Sequence, residues 1–212
     1  MRDFPAFETD FGTAGLVLNQ IPYTKTAYIH MINILDKEML LLEAVDFCVA
    51  AGAEIIYLCD DEVKTDEQNV VHIYEMKQIV AALRDTDACL IPLTDDMLER
   101  WLEIYHKKMN GVDHSAHISY FEGKKMVLKG GCYFVHKDGT LLGIGQAYDN
   151  TVSCIAAVIP GAGADVLSAL CHGLSSETVR VEVASTNLKA IRFYEKIGFV
   201  KTGIIRTWYR VR

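Results

Sequence analysis

The spacing of apolar residues in the second half of the chain predicts a series of short strands and helices. Segment 151–160 is apolar on both faces, which is typical of a central strand. The same pattern predicts further strands and amphipathic helices, with strands at 88–94, 178–183 and 203–211 and helices at 95–109, 162–174 and 188–197.

The clearest turn signal is the pair Asp138-Gly139, which separates two apolar runs within 132–148. Such a pair suits a two-residue hairpin turn that needs positive φ. The mixed polarity of 110–125 fits a loop or a short helix. The resulting order of strands and helices predicts a mixed α/β fold, that is, an α+β mixed sheet.

The first part of the chain repeats some of this pattern. A strand from Thr26, a helix over 38–51 and a strand ending near Leu58 correspond to elements 125 positions later, so that Thr26 matches Thr151 and Leu58 matches Val183. We interpret this as a degenerate half-repeat and expect one domain at 1–87 and a second at 88–212. Segment 69–83 fits a strand or a helix equally well.

Composition narrows the class of protein. The 212 residues carry a net charge of −7 with no run of Lys or Arg, so we expect neither nucleic acid nor a membrane as a partner. No apolar run approaches the roughly 18 residues of a membrane span, and a cytoplasmic protein is expected. The six cysteines form no CxxC pair and are expected to be buried reduced thiols. His114 and His117 have helical ligand spacing, yet nothing nearby completes a metal site, so no metal is expected.

The stretch from Val181 to Phe199 predicts a strand, an Asn and one short helix that stops at a Gly. Asn187 can cap the helix, and Gly198 suits the left-handed position after its end. Asn187 and Tyr194 fall within about 60° of each other around the helix. Leu188 and other apolar residues can dock on the sheet. An ordinary strand–helix unit with a capping Asn and a half-buried Tyr is the alternative interpretation.

The run N-x-x-A-I-x-F-Y-E-K-x-G-F, preceded by V-E-V, resembles the last motif of the GCN5-related N-acetyltransferases (the GNAT family). The order of elements from Ala88 to Arg212 also matches that family. The resemblance implies a GNAT-like acyl-CoA N-acyltransferase fold with an N-terminal partial GNAT-like subdomain. It further implies acetyl-CoA as the cosubstrate and an amine, in a small molecule or a peptide, as the acceptor. A homodimer is compatible with it.

The resemblance also implies roles for individual residues. Acetyl-CoA would lie in a gap between the strands at 151–160 and 178–185, with its pantetheine arm held by the backbone around Ala157 and Val158. Asn187 would hydrogen-bond the arm. Tyr194 would protonate the departing thiolate, because a phenol stays protonated at neutral pH.

The expected pyrophosphate loop departs from the family pattern Q/R-x-x-G-x-G/A. Gly161 and Gly163 can supply the two glycines, and amides of Gly161, Gly163 and Ala164 at the start of a helix could hold a phosphate. The Arg or Gln is missing, and the loop is shorter. The alternative is that the glycines only make a tight turn.

The general base is not evident, because the central strand carries no carboxylate. Asp149 is the first candidate, Tyr148 and Glu182 are weaker, and a water chain is the remaining alternative. Acidic residues on the expected acceptor side mildly favour a cationic amine. The alternative to an enzyme is a catalytically degenerate GNAT-like module that binds acyl-CoA or a protein partner in a regulatory role.

We predict at most one acyl-CoA per chain, bound between Ala157 and Tyr194. The corresponding junction of the first half has no glycine and carries Asp36 and Glu38, which would repel a pyrophosphate. Calorimetric titration of a chain of known concentration measures the stoichiometry. A value near two would mean that the first half is also a working site.

Overall fold

The computed structural model describes residues 5–59 and 69–212, and they divide into two compact units. One unit contains the chain up to residue 73 together with 204–212, and the other contains 74–203. This division by packing differs from the division at residue 87 drawn from the sequence. That the first part is a degenerate GNAT-like subdomain therefore stays a proposal.

The first unit is built on a mixed sheet with one long helix. Its elements are β1 (Ala6–Thr9), β2 (Gly12–Val17), α1 (Ile21–Thr24), β3 (Thr26–Ile34), α2 (Lys37–Ala50), β4 (Ile55–Cys59), the start of β5 (Val70–Ile79) and the end of β11 (Val200–Arg210). The strand order is β1-β2-β3-β4-β11, and β5 begins in this unit.

The second unit is a mixed sheet with helices on both faces. Its elements are β6 (Cys89–Pro92), α3 (Leu98–Met109), α4 (Tyr120–Lys129), β7 (Cys132–Lys137), β8 (Thr140–Tyr148), β9 (Thr151–Ala157), α5 (Gly163–His172), β10 (Thr178–Ala184) and α6 (Leu188–Ile197). Short 3-10 helices lie at Val80–Ala82 and Asp95–Met97. The strand order is β11-β5-β10-β9-β8-β7-β6.

Several local predictions are confirmed. Asp138 and Gly139 have φ values of 50° and 75° and connect β7 to β8, as the hairpin prediction requires. Where the sequence left alternatives, 69–83 is a strand followed by a 3-10 helix, and 110–125 contains the start of α4. Ser119 and Glu122 start α4 with a reciprocal capping box.

Two predictions about burial are wrong. Leu188 does not dock on the sheet, because 56% of it is exposed at the first position of α6. All six cysteines are free thiols, and four are buried, but Cys59 is only half-buried and Cys89, at the start of β6, is exposed. Among the described residues, no helix is long and apolar enough to cross a membrane.

The core of the second unit depends on close packing of α5 against β8. Val166 and Leu170 of α5 are fully buried. A Cβ on Gly145 would collide with Leu170, and one on Gly143 would lie 2.9 Å from Val166. The two glycines of β8 therefore allow α5 to approach the sheet, which places the N-terminus of α5 beside the end of β9.

The two units share one strand–helix–strand arrangement in the same register. β3 and β4 pair in parallel with Thr26 opposite Ile55, and β9 and β10 pair with Thr151 opposite Arg180, 125 positions later in both strands. Each arrangement is preceded by an antiparallel hairpin, β1–β2 or β7–β8. The offset seen in the sequence is thus also an offset in strand pairing.

We expect Gly143→Ala to lower the free energy of unfolding by about 1–3 kcal/mol, because overpacking forces backbone or side chains to move. Its Cβ would lie 2.5 Å from the carbonyl oxygen of Ala156. Gly203→Ala is the control, since a Cβ there meets no atom within 4 Å. Urea unfolding of both variants measures the difference, and equal stability would contradict this account of the packing.

Candidate functional site

The main feature of the second unit is a gap between β9 and β10. Among the described residues these parallel strands pair only at Thr151↔Arg180 and Val152↔Val181, although β9 continues to Ala157. The corresponding strands of the first unit, β3 and β4, pair at five successive positions. β9 and β10 therefore separate after Val152, while β3 and β4 stay paired as far as they are described, through His30 and Cys59.

A β-bulge in β9 accounts for the place where the strands separate. Ala147 of β8 lies opposite Val152 and Gln146 lies opposite Cys154, so that Ser153 is an extra residue. Its hydroxyl donates a hydrogen bond to Oε1 of Gln146 at 2.9 Å. Because a bulge bends its strand and interrupts the ladder, β9 turns away from β10 directly after its last pair.

The first unit also has a β-bulge in the corresponding strand. There the extra residue is Ile32 of β3, which lies beyond the five described β3–β4 pairs, the last of which joins His30 to Cys59. Within residues 26–30 and 55–59 the ladder is therefore uninterrupted.

The end of β9 directs one backbone N–H toward the gap. The amide of Val158 donates to the carbonyl oxygen of Leu142 on the β8 side at 2.8 Å. Because successive amides of a strand point to opposite sides, the amide of Ala157 points away from β8. Of the two residues predicted to hold the arm, Ala157 can thus donate into the gap, and the Val158 amide is already engaged.

The N-terminus of α5 lies at this end of β9 and lacks a side-chain cap. Ala162 precedes the helix and cannot accept a hydrogen bond from the first-turn amides, which include those of Gly163 and Ala164. Gly161 has φ of 87°, and a Cβ there would meet nothing within 4 Å, so the loop is open around it. These amides can bind an anion.

The corresponding helix of the first unit has its amides occupied. The carboxylate of Asp36 caps α2 by accepting hydrogen bonds from the amides of Glu38 at 3.1 Å and Met39 at 3.2 Å. Two related helices thus differ at their N-termini, since one binds its own carboxylate and the other has no side-chain acceptor.

Two further observations concern the loop residues. A Cβ on Gly163 would lie 3.1 Å from the ring of Phe193 in α6, so packing alone requires a small residue there. Asp165, in the first turn of α5, is ion-paired with Arg84 and accepts a hydrogen bond from Thr86 at 3.3 Å. Arg84 therefore compensates a carboxylate that would otherwise repel an anion.

Asn187 and Tyr194 lie on α6 as the sequence predicted. Oδ1 of Asn187 accepts from the amide of Ala190 at 3.1 Å, which caps the helix, and its side-chain nitrogen has no partner among the described residues. Gly198 ends the helix with φ of 100°. The Tyr194 ring packs against Phe199 with the ring centroids 5.6 Å apart.

The Tyr194 phenol is buried and stays protonated. Burial raises its pKa above the ordinary value, and the thiols of Cys154 and Cys171 raise the pKa further. Cys154 is the β9 residue next to the bulge, so the phenol is within electrostatic range of the point where the gap opens. The phenol has no hydrogen-bond partner among the described residues, which leaves its proton available to a ligand.

The structure does not bring Asp149 to this site. Asp149 is exposed in the β8–β9 turn with φ of 54°, at the paired end of β9. About eight strand positions, roughly 25 Å, separate it from Ala157. Tyr148, beside it, lies under Nζ of Lys129 at 4.6 Å. Glu182, in contrast, is exposed and directly follows Val181, the last residue of β10 that pairs with β9.

Two of the acidic residues expected on the acceptor side are ion-paired. Asp95 pairs with Lys124 at 3.1 Å, and Glu103 pairs with Arg100 at 3.1 Å. Asp96 accepts a hydrogen bond from the Thr94 hydroxyl, which carries no charge, at 2.6 Å. The two ion pairs thus offset only part of the negative charge that the sequence offered to a cationic amine.

The histidines of the 110–117 loop take part in packing. His117 stacks on His106 with ring centroids 4.0 Å apart, and burial lowers the pKa of His117 and of His114. Within residues 5–59 and 69–212, no group of three or more His, Cys, Asp or Glu side chains could hold a metal ion.

Comparison with solved structures places this geometry among known folds. No family model and no curated protein matches the chain. A GCN5-related N-acetyltransferase from Kribbella flavida is 12% identical, with a TM-score of 0.58 over 86% of this chain and 52% of that one. A tandem GNAT protein from the clavulanic acid biosynthesis pathway is 11% identical, with a TM-score of 0.53 over 93% of this chain and 78% of that one.

The fold is GNAT-like. A conserved protein of unknown function from Staphylococcus epidermidis also shares it, at 12% identity and a TM-score of 0.59 over 98% of this chain and 93% of that one. The GNAT-like fold predicted from the sequence is therefore confirmed.

Sequence reasoning missed two features of the candidate site. The bulge at Ser153 has no signature in the sequence, because it is defined by which residues of β8 lie opposite β9. Arg84 lies 81 positions before Asp165, and nothing in the sequence pattern links them. Both the extra residue Ser153 and the ion pair of Arg84 with Asp165 become visible only in the tertiary structure.

We predict that Asn187→Ala lowers the free energy of unfolding by about 1 kcal/mol, because the amide of Ala190 loses its acceptor. Asn187→Asp should lower the free energy of unfolding by only about a few tenths of a kcal/mol, since a carboxylate accepts the same hydrogen bond. Chemical denaturation of both variants measures the difference. Equal destabilisation would show that the cap contributes nothing and that the Asn side chain acts through another contact.

Proposed function

We propose that the protein is an N-acetyltransferase that moves the acetyl group of acetyl-CoA to an amine. The observation that carries the proposal is the gap between β9 and β10, which opens at Ser153 and ends beside the uncapped N-terminus of α5. The likeness in fold to a GCN5-related N-acetyltransferase supports it.

The ligand contacts follow from the groups that border the gap. The pantetheine arm carries amides, and it would lie along β9 so that the thioester carbonyl at its end accepts a hydrogen bond from the amide of Ala157. The side-chain nitrogen of Asn187 would donate to the same arm. The pyrophosphate would lie at the amides of Gly161, Gly163 and Ala164, where the helix dipole of α5 favours negative charge. The amide of Val158 would stay bonded to the carbonyl oxygen of Leu142 and so hold the end of β9 to β8.

The acetyl transfer is a direct attack in a ternary complex. The lone pair of the amine forms a bond to the thioester carbonyl carbon, and the Ala157 amide stabilises the negative charge on its oxygen. The C–S bond then breaks, and the phenol of Tyr194 gives its proton to the departing thiolate. The ammonium group formed by the attack loses one proton to a base and through it to solvent. The tyrosinate takes one proton back from solvent, and the products are an amide and CoA.

The thiol chemistry favours direct attack over an acetylated enzyme. Burial, with a contribution from Cys132, raises the pKa of Cys154 to about 12, so this thiol next to the gap stays protonated at neutral pH. A thiol is a poor nucleophile compared with its thiolate. An intermediate on Cys154 is therefore disfavoured.

Glu182 is the carboxylate best placed to take up the ammonium proton. It follows the last residue of β10 that pairs with β9 and lies on the face of the strand opposite the buried Val181 and Val183. Asp149 lies too far from Ala157 for this role. A chain of waters in the gap remains the alternative route.

A second function, a regulatory module that binds acyl-CoA without transferring the acetyl group, is favoured by one observation. The loop before α5 is short and contains no cation of its own. Thermal stabilisation by acetyl-CoA would support binding in both cases. Turnover with a panel of amines then separates an enzyme from a module.

We expect Tyr194→Phe to reduce turnover about 100-fold, the usual effect of losing one proton-transfer group, and to change acetyl-CoA affinity little. Because burial raises the pKa of Tyr194, the acid stays protonated above the pH at which an ordinary phenol ionises. Turnover of the unmodified protein should therefore not decline between about pH 8 and pH 10 through loss of this proton.

Tyr209→Phe is the matched control, since Tyr209 has the same 7% exposure as Tyr194 and belongs to the first unit. Steady-state kinetics and titration calorimetry on both variants provide the comparison. Full activity of Tyr194→Phe would remove this residue from the mechanism, and equal losses in the two variants would point to packing.

A further inference from the structure

Helix α6 carries a stripe of three basic residues on its exposed face, namely Lys189, Arg192 and Lys196. At 100° per residue they fall within about 60° of one another around the helix. All three are exposed, and none forms an ion pair with a described residue. Such a concentration of uncompensated positive charge is unexpected in a chain whose net charge is −7.

The basic stripe lies next to the start of α5. Phe193 connects the two helices, because its ring is the first group that a Cβ on Gly163 would meet, at 3.1 Å. Lys189 precedes Phe193 by four residues and Lys196 follows it by three, so both are its neighbours on the helix surface. The stripe therefore borders the open loop and the uncapped amides of α5.

The acidic groups nearby do not cancel this charge. Asp165 in the first turn of α5 is already paired with Arg84. Glu195 is exposed on α6 three residues after Arg192, forms no ion pair with it, and lies more than about 90° around the helix from the two lysines, so it offsets at most one of the three charges.

We propose that Lys189, Arg192 and Lys196 bind the phosphate groups of the acyl-CoA and supply the positive charge that the short loop at 159–163 lacks. This inference rests on the proposed function, since it assigns part of the ligand already placed in the gap. Long basic side chains can reach a phosphate from a neighbouring helix, and their hydrogen bonds to it are charge-assisted. The recognition of CoA would thus be divided, with amides from α5 and cations from α6.

The test compares two ligands and two triple variants by titration calorimetry at low and high salt. The first variant combines Lys189→Gln, Arg192→Gln and Lys196→Gln. The control combines Lys107→Gln, Lys108→Gln and Lys125→Gln, which removes the same charge from exposed positions on α3 and α4. The ligands are acetyl-CoA and S-acetylpantetheine, which has the arm and the thioester but no nucleotide. Thermal unfolding checks that both variants fold.

We expect the first variant to bind acetyl-CoA at least about tenfold more weakly at low salt, with a reduced salt dependence, because charge-assisted contacts are lost. Its affinity for S-acetylpantetheine should be unchanged, and the control should bind both ligands like the unmodified protein. Unchanged acetyl-CoA affinity in the first variant would overturn the inference and leave the proposed function standing. Loss of both ligands would also overturn it, because the stripe would then act through the structure of the gap. If the unmodified protein binds neither ligand, the proposed function fails as well.

Discussion

The structure of the site depends on one constraint, that backbone N–H and C=O groups of a strand need partners on both sides. The extra residue Ser153 bends β9 so that its ladder with β10 ends after Val152. From there to Ala157, the side of β9 away from β8 faces a gap. A ligand that itself carries amides, such as a pantetheine arm, can pair with this edge as another strand would. The proposed binding site is thus a break in the pairing of two strands.

The first unit shows what happens when the same arrangement lacks these features. Its strands β3 and β4 have the register of β9 and β10, but within the described residues they pair at five successive positions, and the bulge at Ile32 lies beyond these pairs. Its helix α2 is capped by Asp36, so its amides are not available to a phosphate. The two arrangements differ at the bulge and at the helix N-terminus, the two features on which the proposed binding depends. We therefore propose a ligand site in the second unit only.

The sequence predicted what is determined locally. Helical spacing, the Asp138-Gly139 turn, the Asn187 cap and the Gly198 stop were all visible, because each depends on neighbouring residues. The misplacement of Asp149 has a different origin. Asp149 is adjacent to β9 in the sequence, but the sequence does not show at which end β9 separates from β10. The pairing of β9 with β10 decides this. The ion pair of Arg84 with Asp165 and the contact of Gly163 with Phe193 are likewise set by tertiary packing.

Amide hydrogen exchange with and without acetyl-CoA tests the central claim most directly, since it reports on single backbone groups. The account predicts slower exchange in the presence of ligand at Ala157 and at the first turn of α5, because the arm and the pyrophosphate occupy those amides. It predicts no change at β3 or at the first turn of α2, whose amides already have partners. Unchanged exchange at Ala157 under saturating acetyl-CoA, or equal protection at α2, would contradict the claim that the gap between β9 and β10 is the acyl-CoA site.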